Sequence, residues 1–126
     1  MRAALIVALG GALGSLARWG LSGAVQRWTG SPLPWGTFVV NAIGSLAIGF
    51  VAALALERTL VSPAARLFVI TGVLGGFTTF SALSYETVAL LRDGQWLAAT
   101  SYALGSVVVG VGDAAALAGY GLGLRI

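Results

Sequence analysis

Gly72-Val73-Leu74-Gly75-Gly76-Phe77-Thr78-Thr79-Phe80-Ser81 lies in the middle of a strongly apolar segment, and its reading decides the fold. Glycines loosen the backbone there, and hydroxyls and aromatic rings follow at once. In a bilayer an N–H or C=O without a partner is costly, so irregular backbone survives at that depth only where protein buries it or a polar path runs beside it. The stretch therefore predicts a membrane helix broken near its middle, in a chain whose role is transport.

Hydrophobic residues make up 58% of the 126 positions and charged residues 9%, with a mean hydropathy of +0.95. A soluble domain carries about 25% charged residues. An all-α integral membrane protein is expected. About 20 residues cross about 30 Å of hydrocarbon, and four candidate spans fit: residues 3–25, 35–56, 67–91 and 96–122. They form a single four-span membrane domain over residues 1–126. The connections carry the turn chemistry: Gly30, Pro32 and Pro34, then Pro63, then Arg92-Asp93-Gly94. That length leaves no room for a soluble catalytic domain or ectodomain, and no enzyme is expected.

Met1-Arg2 followed by an apolar run with Gly10, Gly11 and Gly14 has the look of a signal peptide, but the run continues to Val25. A first membrane helix suits it better. There is no cysteine and no histidine, which excludes disulfides, thiolate or imidazole metal sites and an imidazole proton relay. The net charge of +3 comes from arginines scattered through the connections rather than gathered on one face, so no nucleic-acid partner is expected. With four spans, Arg2, Arg58, Arg66 and Arg125 share one side of the membrane, Arg27 and Arg92 the other, and Arg18 lies inside the first span. That bias is weak as an orientation signal. It permits insertion both ways and an antiparallel homodimer with its two-fold axis in the membrane plane, an arrangement that places transport sites at the midplane. Charge alone leaves open the alternative of one orientation set by Arg58 and Arg66.

Polar residues recur at helical spacing in each span. The stripes are Gly11, Ser15, Arg18 and Ser22; Thr37, Asn41 and Ser45; Phe77, Phe80 and Ser84 beside Thr78, Ser81 and Tyr85; and Tyr102, Ser106, Gly110 and Asp113. Ser15, Ser22, Ser45 and the pair Gly10/Gly14 read as helix-packing residues. Asn41 reads as a pore residue in preference to interhelical glue, because its amide donors need partners near the bilayer centre and suit an anion.

No Asp or Glu precedes Glu57. A small proton-coupled exporter, the first alternative function, needs a membrane carboxylate, and such families carry it in the first helix. A structural membrane subunit that uses its Gly- and Ser-rich faces only for packing is the second alternative. The missing carboxylates suit an anion path, since a carboxylate ring selects cations. Two readings of Arg18 stay open, snorkelling to the interface or concentrating anions in a vestibule. Glu86 is expected to cap or pair near the interface, and Asp113 to lie toward the water-exposed end. The positive edge of the Phe80 ring can attract a small anion without holding it as a full charge would. Carbonyls freed around Gly75 to Thr78 need new partners. Two such breaks meeting across a dimer axis could hold one alkali cation.

Three runs carry a family resemblance: Gly10-Gly11-Ala12-Leu13-Gly14-Ser15-Leu16-Ala17-Arg18-Trp19, Gly36-Thr37-Phe38-Val39-Val40-Asn41-Ala42-Ile43-Gly44-Ser45 and Gly75-Gly76-Phe77-Thr78-Thr79-Phe80-Ser81-Ala82-Leu83-Ser84-Tyr85-Glu86. Through them the chain resembles the CrcB/Fluc family of small bacterial fluoride channels over nearly its whole length. The resemblance implies passive, selective fluoride efflux that lowers cytoplasmic fluoride, through a multi-pass, dual-topology homodimer in the bacterial inner (cytoplasmic) membrane. It implies Phe80 as a pore ring, Asn41 as a pore donor, and Thr37, Ser81, Ser84, Tyr102 and Ser106 along a polar track, with Arg18 at the vestibule. It further implies a structural sodium ion at the dimer axis, held by the backbone carbonyls of Gly75 and Thr78. Two positions depart from the family pattern: Leu83 stands where members have a second pore phenylalanine, and Gly110 stands where a hydroxyl would extend the track.

Overall fold

The computed structural model describes residues 1–57 and 61–115, and within them every regular element is helical. The order is α1 (Arg2–Thr29), α2 (Trp35–Glu57), a short α3 (Pro63–Arg66) that runs into a π-helical stretch (Leu67–Leu74) and a last turn α4 (Gly75–Phe77), then α5 (Phe80–Arg92) and α6 (Trp96–Ala115). The helices fall along the four stretches expected as spans, the third of them divided among several elements, and among the described residues α1 alone is by itself long and apolar enough to cross a membrane. The first runs past Val25 to Thr29, the third begins already at Pro63, and the expected end of the fourth at residue 122 lies outside the described residues. Arg58 and Arg125 lie outside them as well.

The ends of the helices follow from local chemistry. Gly30 closes α1 in the left-handed conformation (φ 59°) and returns its N–H to the Gln26 carbonyl, a backbone that glycine adopts at no steric cost. The Gln26 side chain then staples the connection: its Nε2 donates to the carbonyls of Ser31 (2.7 Å) and Leu33 (2.9 Å), and its Oε1 accepts from the Gly36 N–H. Ser62 caps α3 by accepting from the Ala65 N–H, with Pro63 in the first helical turn. Gly94 (φ 77°) turns the chain from α5 into α6.

At 28 residues and 1.5 Å per residue, α1 is about 42 Å long. It is long and apolar enough to cross a membrane by length and composition. Its outer leucines, Leu5, Leu9, Leu13 and Leu16, are exposed. Its other face packs along the π-helical stretch and α4, while α2 packs along α6, with Val40 and Ala99 fully buried.

The glycines of the opening stretch act differently from expectation. Gly72 and Gly76 do not loosen the backbone; they are places where two backbones meet. A Cβ added to Gly72 would come within 2.9 Å of the Gly10 Cα, and one on Gly76 within 2.7 Å of the Gly11 carbonyl oxygen. From the other side, a Cβ on Gly10 would meet the Phe68 carbonyl oxygen at 2.7 Å, and one on Gly14 would overlap the Val73 carbonyl oxygen. Gly10 and Gly14 are thus packing residues, as their spacing predicts, and their partners lie in the third span. The helix continues through Gly75–Phe77, and the break comes after it, at Thr78 (φ −80°, ψ 152°) and Thr79. Before the break the backbone is wound as a π-helix, in which the Gly75 N–H reaches back to the carbonyls of Ile70 and Gly72.

Candidate functional site

The break exposes backbone groups that a continuous helix would satisfy, and several have defined partners. The Leu74 carbonyl keeps its helical bond from the Thr78 N–H (3.0 Å) and accepts the Thr78 hydroxyl as well (3.1 Å), closing the helix before the break. The Gly76 carbonyl accepts from Arg18 Nε at 3.2 Å. Thr79 is clamped by one side chain: the Asn41 amide donates through Nδ2 to the Thr79 carbonyl (3.2 Å), and Asn41 Oδ1 accepts the Thr79 N–H at 2.8 Å. One turn along α2, Gly44 gives the break room, since a Cβ there would overlap the Thr78 methyl and come within 3.2 Å of the Phe77 ring. None of the hydrogen bonds described at the break falls on the carbonyl of Gly75 or of Thr78.

Arg18 therefore sits on the break, fixed to Gly76 across 58 positions of sequence by a part-buried bond. A charge-assisted bond of this kind contributes about 1.5–3 kcal/mol. Arg18→Ala is expected to lower the thermal unfolding temperature in detergent, with Arg18→Lys recovering only part of it, because an ammonium lacks the Nε–H aimed along the side chain.

Beside the break, α2, the start of α5 and α6 enclose an open-sided groove of about 650 Å³. Its polar lining includes Asn41, Thr78, Thr79 and Ser106, and its apolar lining includes Phe80 and Leu83. Phe80 is 76% exposed, so most of the ring faces the open side, whereas Leu83 is buried in the wall. Leu83 thus presents a branched aliphatic surface to the groove where a ring edge is expected. Ser106 Oγ is buried and has no hydrogen-bond partner among the described residues. A buried hydroxyl in that state costs free energy unless something transient meets it.

A second cluster lies one turn along α2. Glu86, on α5, accepts from the Thr37 hydroxyl at 2.8 Å and from the Tyr102 hydroxyl at 2.5 Å, one on each carboxylate oxygen. This corrects the reading of Glu86 as an interfacial cap or partner of Arg92. It ties α2, α5 and α6 together, and it takes up the donor hydroxyls of Thr37 and Tyr102. The available sequence signal is the spacing Phe80, Leu83, Glu86, which continues one helix face by threes. Glu86→Ala leaves two hydroxyls without their acceptor, at about 1–3 kcal/mol each; Glu86→Gln keeps a polar partner for both. Thermal unfolding in detergent is expected to fall in the order wild type, Glu86→Gln, Glu86→Ala.

Residues expected along one track are therefore divided. Asn41, Phe80, Leu83 and Ser106 line the groove. Thr37 and Tyr102 belong to the Glu86 cluster. Ser84 is exposed and does not line the groove, and the Ser81 side chain lies outside the described residues. Phe77, expected on the same face as Phe80, is buried against Gly44 instead. Asp113 is half-buried on α6, one turn beyond Gly110.

Residues 5–120 match the sequence profile of the CrcB-like protein, Camphor Resistance (CrcB) family. The chain belongs to the CrcB family. Among its relatives, a fluoride-specific ion channel FluC of Thermus thermophilus is 56% identical over 119 residues, covering 94% of this chain and 93% of that protein. The protein of the same name from Opitutus terrae is 54% identical over 107 residues, covering 83% and 81%. That from a Roseiflexus species is 51% identical over 108 residues, covering 85% and 86%. CrcB membership agrees with a strongly apolar chain whose described elements are all helical, and with transport rather than enzymatic chemistry.

Proposed function

We propose that this chain is a fluoride-selective ion channel that lets fluoride leave the cytoplasm passively, down its gradient. The observation that carries the reading is the groove beside the clamped break, with the unpartnered Ser106 hydroxyl and the exposed Phe80 ring along it, in a chain 56% identical to a protein named as a fluoride-specific channel. Fluoride is a small, hard anion that gives up water only to good hydrogen-bond donors. Ser106 offers one O–H, and Asn41 a second N–H beyond the one given to Thr79. The Phe80 edge adds a weak positive field. Several weak sites in series let the ion enter and also leave.

The working unit in this proposal is an antiparallel homodimer of single-domain, four-span protomers, multi-pass in the inner (cytoplasmic) membrane. The exposed Gly75 and Phe80 support it, because the protomer leaves each of them uncovered beside the break. A structural sodium ion fits the same axis. The carbonyls of Gly75 and Thr78 are free of the hydrogen bonds described at the break, and neutral carbonyl oxygens suit a hard cation. Two oxygens per chain, doubled by a partner, would hold it and cross-brace the two breaks.

In a bacterium lacking its own fluoride exporter, expression of this chain is expected to restore growth on fluoride without affecting tolerance of chloride. Failure to restore growth, with the protein present in the membrane, would refute the channel reading. For the assembly, cysteine pairs introduced at the two ends of α1 are expected to cross-link unlike ends of neighbouring copies. Links between like ends only would contradict the antiparallel dimer.

A further inference from the structure

We propose that the Ser45 hydroxyl is an anion-binding group of the pathway, and that Gly110 opposite it is the space through which the ion reaches it. The inference rests on the channel reading above and adds a residue to it.

Ser45 lies one turn beyond Asn41 on α2, and Gly110 one turn beyond Ser106 on α6. Both line the groove. They face each other closely: a Cβ added to Gly110 would stand 3.1 Å from Ser45 Oγ. A serine in a membrane helix ordinarily satisfies its hydroxyl on the carbonyl one turn back or across the interface. Ser45 does neither, as no hydrogen bond to its hydroxyl is found among the described residues, and the half-buried side chain lies at the groove surface. The seam between α2 and α6 therefore carries polar groups in three tiers. Thr37 and Tyr102 meet at Glu86, Asn41 and Ser106 follow one turn on, and Ser45 faces the bare backbone of Gly110. Successive tiers are about 6 Å apart at 1.5 Å per residue, a step short enough for an ion to pass from one donor to the next. In the first tier the hydroxyls are spent on the carboxylate; in the second and third, Ser106 and Ser45 remain available. Ser45 is thus the donor that lets the path continue past Ser106 on the side away from Glu86, and the missing side chain at Gly110 keeps that donor uncovered.

The test moves the hydroxyl from one helix to the other. Fluoride efflux from liposomes is measured for wild type, S45A, S45A/G110S and S45A/G110A, each confirmed as folded by size exclusion. S45A is expected to slow efflux about three- to tenfold, the effect of one lost hydrogen bond. S45A/G110S returns a hydroxyl to the same place from α6 and is expected to recover most of the rate. S45A/G110A restores bulk without a hydroxyl and is expected to stay slow. Full efflux from S45A, or equal recovery by S45A/G110A, would overturn the proposal, the second by reducing Ser45 to packing. No efflux from wild type would overturn the channel reading itself, which separates the two failures.

Discussion

Asn41→Ala is expected to cut fluoride efflux from liposomes by on the order of a hundredfold, because this side chain both satisfies the break and lines the groove. Its amide occupies the N–H and the C=O of Thr79 together, and truncation leaves both at membrane depth without those partners. Each such group costs about 1–3 kcal/mol, and every 1.4 kcal/mol that reaches the barrier is about tenfold in rate. Asn41→Asp separates the two roles. The carboxylate still accepts the Thr79 N–H but cannot donate to the Thr79 carbonyl, and it places a negative charge in the groove. It is expected to keep more of the assembly than Asn41→Ala while conducting as poorly. Flux and size-exclusion profiles of the two variants check this; normal efflux through Asn41→Ala would remove Asn41 from the path.

The largest effect on stability is expected at Gly14. A Cβ there would overlap the Val73 carbonyl oxygen and lie 2.9 Å from the Phe77 backbone nitrogen, and both obstacles are backbone that no rotamer change can move. Overpacking a well-filled interior ordinarily costs about 1–3 kcal/mol; forcing α1 away from the π-helical stretch along its length costs more, since that contact holds the broken span in place. Gly14→Leu is expected to be recovered from detergent only as aggregate. The neighbouring Gly11→Ala supplies the control, because a Cβ at Gly11 meets nothing within 4 Å, and it is expected to behave as wild type. Equal behaviour of the two variants would mean that α1 does not approach the third span as described.

The helices are legible because hydropathy and turn residues are local: Gly30, Pro63 and Gly94 stop or start helices by their own backbone preferences, and the expected boundaries of the second span and of the end of the third lie within a few residues of those found. The presence of a break is legible from Gly75-Gly76 followed by Thr78-Thr79-Phe80. Its register is not. Gly72 and Gly76 are consumed by contact with Gly10 and Gly11, and the helix ends only where Thr78 turns its hydroxyl back to Leu74 and Asn41 offers Thr79 an alternative to helical bonding. The role of Glu86 escapes the sequence for a related reason. Its partners lie 49 and 16 positions away, whereas Arg92, the nearest cation in sequence, is one to two turns along the same helix. Spacing alone favours the local partner, and only packing of α2 and α6 against α5 brings Thr37 and Tyr102 within reach. Arg18 illustrates the same limit, since nothing local in the sequence points to the Gly76 carbonyl, 58 positions away, as the acceptor of its guanidinium.

The most direct measurement loads liposomes containing the purified protein with equal fluoride and chloride, and follows both ions in the external solution with selective electrodes after the potential is set by a potassium ionophore. Fluoride is expected to empty from the protein-containing vesicles while chloride stays inside. Release of both ions at similar rates, or of neither, would contradict the channel reading.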